Sequence, residues 1–500
     1  MQTIHPFTPS ALLEQNTQIE QRAGMKDTIL LFPATGMGHL VSMVELGKLI
    51  LHQYGHQFSI TILLINGPFD PPAITSYVNA ISQTHPSITF HTLPQRSVDT
   101  APTRSRAAIA FEFLSLYGSD FFDYLKHLPD SSKPRAIVID YFCACALPVA
   151  REFGIPVFHF FTSGAAVLGA YLYLPTMHEE INTTQSFKDL PDTLLRFPGF
   201  PPLPATQMPE PLLDRNDPAY DYIIYFSEHL RKSDGLLVNT FEALEPNALQ
   251  VLADGSCVPK GTTPPVYCVG PLIANPDEGE SQHACLTWLD SQPSKSVVFL
   301  CFGSRGSFSA EQVKEIAKGL ENSGQRFLWV VKNPPKDNSK QSEEADEIDL
   351  ECLMPEGFLE RTRERGMVVK LWAPQVAVLK HPSVGGFVTH CGWNSVLEAV
   401  VRGVPMVAWP LYAEQHMNRA LLVGVMKMAI AVEERDEDRL VTGEEVERSV
   451  RELMDTEVGR ELRERSRKLR EMAEEALGPR GTSAAALAKL AKLWSWSSQG

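Results

Sequence analysis

Short apolar runs alternate with helix-compatible segments along most of the chain. Residues 28–33 (TILLFP), 59–65 (SITILLI) and 136–140 (AIVID) are examples of the apolar runs, and they are rich in Val, Ile and Leu. Continuous runs of this kind are typical of parallel strands that are covered on both faces. Segments such as HLVSMVELGKLILHQY supply the covering helices. The pattern therefore predicts a doubly wound α/β structure.

The alternation is interrupted at residues 270–284, which are rich in Pro, Gly, Asn and acidic residues, and it then resumes through runs such as VVFLCFG and VGGFVTH. A chain of 500 residues is also too long for one ordinary core. We therefore predict two Rossmann-like domains, at 25–269 and 285–475, which face each other across a cleft and are joined by a linker at 270–284. Residues 1–24 are predicted to be a disordered extension, and residues 476–500 a helix that packs back on the body.

Composition and charge narrow the classes of function. With 44% hydrophobic and 21% charged residues the chain is typical of globular proteins, and no run reaches the roughly 18 to 20 apolar residues of a membrane span. A formal net charge of −15 argues against nucleic-acid binding, which needs a basic face. The eight cysteines form no CxxC pair, and the first 24 residues are polar, unlike a secretory signal. We therefore expect no disulfide framework and a cytoplasmic location.

The segment FVTHCGWNS holds many hydrogen-bonding groups where a predicted strand, VGGFVTH, is followed by a predicted helix, WNSVLEAVVRG. A helix N-terminus offers unpaired N–H groups and a partial positive charge, which suit a phosphate group. Gly392 permits close backbone approach, and His390, Asn394 and Ser395 add side-chain donors. Ser395 fits a plain helix cap equally well. On this turn alone, phosphate binding and capping both remain open.

Residues 372–415 (WAPQVAVLKHPSVGGFVTHCGWNSVLEAVVRGVPMVAWPLYAEQ) resemble, nearly throughout, the signature box of plant family 1 UDP-sugar glycosyltransferases. The resemblance extends from about residue 25 to the C-terminal helix, so it covers both predicted domains. It implies the GT-B fold, in which two Rossmann-like domains face a central cleft and the second binds most of the nucleotide sugar. The first-domain segments GMGHLVSMVELGKLIL, TSGAAVLGAYLYLP and FPGFPPLPATQMPEPLLDRND look closest to members that act on flavonoids, chalcones and related polyphenols.

The resemblance assigns the donor contacts residue by residue. Trp372 is similar to the tryptophan that stacks on uracil, and Ala373 to the residue whose backbone meets the uracil edge. Gln375 would reach the uridine, and Glu398 would accept hydrogen bonds from the ribose hydroxyls. Core burial of Trp372, a solvated Glu398 and an exposed helix start at the Glu414–Gln415 pair are the alternatives. The phosphate and sugar contacts that the resemblance implies are Thr162, Ser304, His390, Gly392, Trp393, Asn394, Ser395, Glu414 and Gln415.

Two residues of the first domain are candidates for the chemistry. His39 follows the first predicted strand, and Asp140 ends the predicted strand AIVID. A lone histidine is usually structural, but the resemblance implies that His39 is the general base and that Asp140 orients its imidazole. A helix cap is the alternative for Asp140. On the acceptor side, the resemblance implies that Ala413 lies with His39.

Two other patterns are poor matches to known motifs. GMGHLV begins like a dinucleotide fingerprint, but Val41 stands where a third Gly or Ala is needed, and Ile65 and Asn66 end the second strand without an acidic ribose ligand. Both departures argue against an NAD oxidoreductase. The Asp-x-Asp pattern at 436–438 lies within the charge run EERDEDR, which is typical of a solvated face. We therefore expect no metal site and no cofactor.

Together these features predict an inverting, metal-independent enzyme that moves glucose from UDP-glucose to a phenolic hydroxyl of a flavonoid, chalcone or related polyphenol. Transfer to an aromatic carbon and a non-catalytic UDP-sugar-binding protein are the alternatives, and the presence of both His39 and Asp140 argues against the second. UDP-glucose is the expected donor because Trp393 stands where relatives that use glucuronate carry arginine. Gln415 likewise stands where galactose-using relatives tend to carry histidine. The expected partners are the donor and a small phenol, bound by a monomer without nucleic acid or a membrane.

Overall fold

The structure is a computed structural model, and it describes residues 26–180, 185–274, 283–334 and 348–496. The predicted extension at 1–24 and most of the predicted linker at 270–284 lie outside these ranges. The bounds of the two domains therefore remain predictions.

The first half of the described chain is built around one large parallel sheet. Its strands, in chain order, are β1 (Asp27–Phe32), β2 (Phe58–Leu64), β3 (Ile88–Thr92), β4 (Ala136–Asp140), β5 (Val157–Phe161), β6 (Leu194–Leu195), β7 (Leu203–Pro204), β8 (Gly235–Val238) and β9 (Val266–Cys268). Seven of them form the sheet, in the order β3-β2-β1-β4-β5-β8-β9, and every pairing in it is parallel. β6 and β7 form a separate antiparallel pair.

Helices connect these strands. Those among the described residues are α1 (Met37–Tyr54), α2 (Ala73–Thr84), α3 (Arg106–Ser115), α4 (Gly118–His127), α5 (Ala146–Glu152), α6 (Ala165–Glu180), α7 (Glu210–Leu213), α8 (Pro218–Leu230) and α9 (Pro246–Ala253). Because each long helix returns the chain to the start of another parallel strand, the carboxyl ends of the strands share one edge of the sheet.

The second half repeats this architecture. Its strands are β10 (Val297–Cys301), β11 (Arg326–Val331), β12 (Gly366–Lys370), β13 (Val384–Thr389), β14 (Met406–Ala408) and β15 (Ala429–Ala431). They form a parallel sheet in the order β12-β11-β10-β13-β14-β15. Its helices are α10 (Ala284–Asp290), α11 (Ala310–Ser323), α12 (Leu350–Leu353), α13 (Phe358–Thr362), α14 (Gln375–Lys380), α15 (Trp393–Arg402), α16 (Gln415–Gly424), α17 (Gly443–Asp455) and α18 (Glu457–Leu477).

Both sheets reverse their strand order once, and the predicted site residues lie at those points. In the first sheet β1 and β4 are neighbours, and they are followed by the segments that carry His39 and Asp140. In the second sheet β10 and β13 are neighbours, and they are followed by Ser304 and His390. A doubly wound sheet opens a crevice at such a reversal, outside the carboxyl ends of the strands. The topology thus creates two half-sites.

A last helix, α19 (Thr482–Trp496), returns the chain to the first half. The Trp494 ring, which is buried, packs edge-on against Phe58 and Phe158, at centroid distances of 6.0 and 5.8 Å. The Ser483 hydroxyl donates to the Gly270 carbonyl. Within the described ranges, none of the helices is both long and apolar enough for a membrane crossing.

Replacement of Trp494 by alanine should lower the free energy of unfolding by about 3–5 kcal/mol, because a large buried ring is lost and a cavity remains. Urea denaturation followed by circular dichroism measures the change. Leu493→Ala is the matched control, since that side chain is 49% exposed in the same helix and should cost no more than about 0.5 kcal/mol. Equal losses for the two variants would contradict the packing of α19 on the first sheet.

Candidate active site

His39 and Asp140 are brought together at the reversal point of the first sheet. His39 lies in the first turn of α1, and its Nδ1 is 2.8 Å from Asp140 Oδ2. The aspartate side chain is fully buried, whereas 28% of the histidine side chain is exposed. When Nδ1–H donates to the carboxylate, Nε2 is left as the basic atom. The pair therefore has the arrangement of an oriented general base.

Each oxygen of the Asp140 carboxylate has its own task. While Oδ2 holds His39, Oδ1 accepts a hydrogen bond from the backbone N–H of Phe142 at 3.1 Å. This second bond caps the short 3₁₀ turn at Tyr141–Cys143. The two roles weighed for Asp140, orientation of an imidazole and a cap, are both filled by the same side chain.

The surroundings of His39 favour its protonated form. Burial lowers the pKa of the imidazole, but the charge and the hydrogen bond of Asp140 raise it by more, so that the pKa lies above the ordinary 6.5. The carboxylates of Glu414 and Asp70 raise it further. Thr162 lies beside the ring, with its hydroxyl 3.4 Å from Nδ1. An imidazolium that forms by proton abstraction is therefore stabilised where it forms.

Trp372 presents an open aromatic face. The side chain follows β12 and is 55% exposed, and its ring meets His283 edge-on at 5.8 Å. Core burial, the alternative considered for Trp372, is therefore wrong. Ala373 is buried beside it, just before α14.

Three of the predicted donor contacts form one hydrogen-bonded group. The Gln375 amide donates to Glu398 Oε2 at 2.7 Å and to Ser395 Oγ at 2.9 Å. Glu398 is thus held by a neighbour instead of pointing free into solvent. Ser395 does not cap α15 either, because the N-cap position is Gly392, which has no side chain to offer. The N–H groups at the start of α15 consequently receive no side-chain cap.

His390 is clamped at the reversal point of the second sheet. A Cβ atom on Gly303 would lie 2.4 Å from His390 Nε2, and one on Gly392 would lie 2.5 Å from it, so a side chain at either position would displace the ring. Gly303 also has a φ of +72°. Burial, with a contribution from the Lys332 charge, lowers the pKa of His390 to about 3. His390 is therefore a neutral hydrogen-bonding group, and the exposed Ser304 follows Gly303 next to it.

The side chains of Trp393 and Asn394 reach into the first domain. The Trp393 indole is buried, and its Nε1 donates to the Asn239 carbonyl at 2.7 Å. Asn394 Nδ2 donates to the Gly38 carbonyl at 3.2 Å, and its Oδ1 accepts from the Ser42 hydroxyl at 3.1 Å. The indole N–H of Trp393 is thus engaged away from the sugar side.

Glu414 and Gln415 start α16 but are not an exposed helix start. Gln415 is buried, and its Oε1 accepts from the backbone N–H groups of Leu411 and Tyr412 at 2.8 and 2.9 Å. Glu414 is half-buried, and its charge raises the pKa of His39. Ala413 before it adopts a φ of +53°.

A cavity of about 390 Å³ has four aromatic side chains in its lining and reaches the residue Phe142, although His39 itself does not line it. Phe142 forms its wall, and the Phe142 ring is 5.4 Å from the His39 ring, edge-on. Tyr222, Tyr225 and Phe226 of α8 line the cavity as well. The sequence analysis missed these three residues, although the aromatic-rich segment YDYIIYF was a signal for them.

Two further residues escaped the sequence analysis. Asn239 directly follows the strand β8, and Ser42 lies three positions after His39 on α1. Both are polar side chains near the carboxyl edge of a parallel sheet, and this position was the signal that could have identified them.

The described part of the chain holds no group of three or more His, Cys, Asp or Glu side chains that could hold a metal ion.

Two Rossmann-like domains, with a His–Asp pair on one and an uncapped helix N-terminus on the other, fit a nucleotide-sugar-dependent transferase of the GT-B class. Comparison with known proteins gives the family. Residues 250–465 match the family model described as UDP-glucoronosyl and UDP-glucosyl transferase. The chain is 59% identical over 471 residues to UDP-glycosyltransferase 88F3 of Pyrus communis, with 92% of this chain and 98% of that protein covered.

Two more proteins extend the comparison. The chain is 58% identical over 471 residues to phloretin 2'-O-glucosyltransferase of Malus domestica, with 92% of this chain and 98% of that protein covered. The structure of Phytolacca americana UGT2 complexed with UDP-2fluoro-glucose and pterostilbene matches with a TM-score of 0.83 at 36% identity, over 94% of this chain and 100% of that one. The chain belongs to the UDP-glucuronosyl and UDP-glucosyl transferase family. The predicted fold, family and class of enzyme are thereby confirmed.

Asp140→Asn should change how the enzyme depends on pH. The substitution removes the charge that raises the pKa of His39, so the acidic limb of the kcat/KM profile should move to lower pH, because a general base acts only when neutral. The plateau should also fall, within the roughly 10²- to 10⁴-fold range of general-base assistance, because the imidazole is no longer held in place.

Steady-state kinetics from about pH 5 to pH 8 would measure both effects. The control is Asp192→Asn, which neutralises an exposed carboxylate of the same domain and should leave the profile unchanged. An acidic limb that stays in place, or moves to higher pH, would show that Asp140 does not set the pKa of the base.

Proposed function

We propose that the protein transfers glucose from UDP-glucose to a phenolic hydroxyl of a flavonoid or chalcone, with inversion at the anomeric carbon. The observation that carries the proposal is the 2.8 Å bond between His39 and Asp140 at the reversal point of the first sheet. It leaves one basic nitrogen, Nε2, in the first domain. This domain faces the turn at residues 390–395 of the second domain, which we call the donor turn.

The reaction follows from this arrangement. His39 Nε2 takes the proton of the phenol, and the phenolic oxygen forms a bond to the anomeric carbon from the face opposite UDP. The bond between the anomeric carbon and the β-phosphate oxygen breaks, and its electron pair leaves with UDP. Because a phenol has a pKa near 10, far below that of an alkyl alcohol, one imidazole suffices as the base. Asp140 stabilises the imidazolium that results.

The donor is held by the second domain. The open face of Trp372 suits a stacked uracil, since a base offers a π-face of matching size. Glu398, already bonded to Gln375, is placed to accept from the ribose hydroxyls. The uncapped N-terminus of α15 and the neutral His390 donate to the diphosphate, which takes up the leaving charge. We infer that these groups act in place of a metal ion.

The acceptor belongs in the cavity beside Phe142. A volume of about 390 Å³ and a lining of Phe142, Tyr222, Tyr225 and Phe226 suit a flat molecule with two or three aromatic rings. Edge-to-face and offset contacts with such rings are favourable by about 0.5–1.5 kcal/mol each. The relative that acts on phloretin, at 58% identity, and the neighbour that binds pterostilbene support the same class of acceptor.

The proposal also includes the cellular compartment and the oligomeric state. All eight cysteines are free thiols, which favours a reducing compartment and hence the cytoplasm. Since the His–Asp pair and the donor turn come from one chain, we infer that a monomer is sufficient for transfer.

His39→Ala tests the proposal directly. Turnover of phloretin with UDP-glucose should fall by about 10²- to 10⁴-fold, while the Kd of UDP stays close to that of the unsubstituted protein, because the base lies in the other domain. Product mass and NMR identify the glucoside formed, and calorimetry gives the Kd. His52→Ala, an exposed histidine of the same helix, is the control and should keep full activity.

Two results would contradict this role for His39. One is a loss of UDP binding as large as the loss of rate, which would place His39 in the donor site. The other is UDP binding by the unsubstituted protein with no product from any phenol, which would favour a binding protein over an enzyme.

Donor choice provides a separate prediction. The Trp393 indole carries no charge and its N–H is engaged by Asn239, so a glucuronate carboxylate would find no bidentate partner at this position. The missing charged hydrogen bond should cost UDP-glucuronate about tenfold to more than a hundredfold in kcat/KM relative to UDP-glucose. UDP-galactose should also be the poorer donor: we infer that Glu414 accepts hydrogen bonds from the equatorial hydroxyls of glucose, and inversion at one carbon would misalign that bond. Equal or better use of UDP-glucuronate with the same phenol would refute this assignment.

A further inference from the structure

The donor turn is physically joined to the domain that carries the base. Its two consecutive residues Trp393 and Asn394, at the start of α15, contact the first domain at separate places. The Trp393 ring reaches the loop after β5, where a Cβ on Gly164 would lie 2.8 Å from its Cη2 atom. Asn394 reaches the first turn of α1. The donor turn therefore packs directly against the domain that carries the base.

The hydrogen bonds of Asn394 fix the orientation of its amide. The Gly38 carbonyl can only accept, so the amide nitrogen must face it, at 3.2 Å. The Ser42 hydroxyl donates to the amide oxygen at 3.1 Å, on the other side. An amide nitrogen has two N–H bonds. One donates to the Gly38 carbonyl, and the direction of the other is fixed because the amide cannot turn.

Ser42 is well placed to control this amide. It is 2% exposed and lies three residues after His39, so both side chains project from the same face of α1. Its hydroxyl also donates to the Gly38 carbonyl within its own helix, at 3.0 Å, so its one proton is shared between that carbonyl and the Asn394 oxygen. One helical turn of α1 therefore carries both the base, His39, and the residue that bonds the donor turn, Ser42.

We propose that Ser42 is a positioning residue of the transfer reaction: by holding the Asn394 amide across the cleft, it keeps the donor diphosphate in register with His39. The inference rests on the proposed function of the Asn394 turn in donor binding. Register matters because a misplacement of about 1 Å between reacting groups can cost on the order of 10²-fold in rate. Ser42 itself does not take part in the proton transfer.

Ser42→Ala should lower kcat/KM for UDP-glucose by about tenfold, the effect of one hydrogen bond, while KM for the phenol changes by less than about twofold. The decisive measurement is a double-mutant cycle with Asn394→Ala. If Ser42 acts through Asn394, Ser42→Ala should have no further effect once the amide is absent. Ser42→Cys keeps the volume but is a weak donor, so it should reproduce the loss if the alanine variant proves unstable.

Ser449→Ala is the matched control. That serine is equally buried, and its hydroxyl bonds a carbonyl of its own helix, Val446, but it lies in the second domain away from the turn. It should leave the kinetics unchanged. The proposal fails if Ser42→Ala keeps full kcat/KM, or if its effect and that of Asn394→Ala multiply.

The same double-mutant cycle can be carried out with the Kd of UDP, measured by calorimetry, as its readout. This distinguishes a failure of the positioning role from a failure of the proposed function. If no phenol is glucosylated but UDP binds, the proposed activity fails, yet non-additive effects of Ser42→Ala and Asn394→Ala on the Kd of UDP would still support the positioning role. Additive effects on the Kd of UDP would overturn the role even in an active enzyme.

Discussion

The hydrogen bond from the Trp393 indole to the Asn239 carbonyl is the contact on which the geometry of the cleft depends. Asn239 is fully buried at the end of β8, and depriving a buried carbonyl of its partner costs about 1–3 kcal/mol. The side-chain oxygen of the same asparagine accepts from the Leu272 N–H at 2.8 Å. One residue thus connects the donor turn, the first sheet and the chain that leads to the second domain. Glu245 strengthens the same region by accepting from the N–H groups of Ala165 and Ala166 at the start of α6.

Much of the fold follows from the sequence pattern, because strands buried on both faces need unbroken apolar runs. The run AIVID is wholly buried as β4, and the run VGGFVTH is wholly buried as β13 and the histidine that follows it. The strand pattern put His39 and Asp140 after or at the end of strands, and the family resemblance paired them. The pattern does not predict which side chains of one domain reach across to contact the other. Trp393 is predicted at the donor, and the pattern gave no sign that its indole bonds Asn239, a residue 154 positions away.

The local alternatives failed for a related reason. Ser395 looked like a helix cap because its type favours caps, but the helix begins at Trp393, so Ser395 lies inside its first turn and bonds Gln375. Core burial was the alternative to uracil stacking for Trp372 because tryptophan is apolar, yet 55% of its side chain remains exposed. In both cases residue type was a weaker guide than position at the edge of the parallel sheet, where ligands bind.

The electrostatics of the donor turn explain how so acidic a chain can handle a diphosphate. The net charge of −15 is opposed locally by the start of α15, where no side chain caps the N–H groups. His390 adds no charge, because burial keeps its pKa at about 3, but its ring is clamped against Gly303 and Gly392. Donors fixed in this way need no reorganisation when charge develops on a leaving group, and this preorganisation is the larger part of electrostatic catalysis. The His390 ring is held within the second domain by Gly303 and Gly392, whereas the start of α15 is also held by the contacts of Trp393 and Asn394 with the first domain.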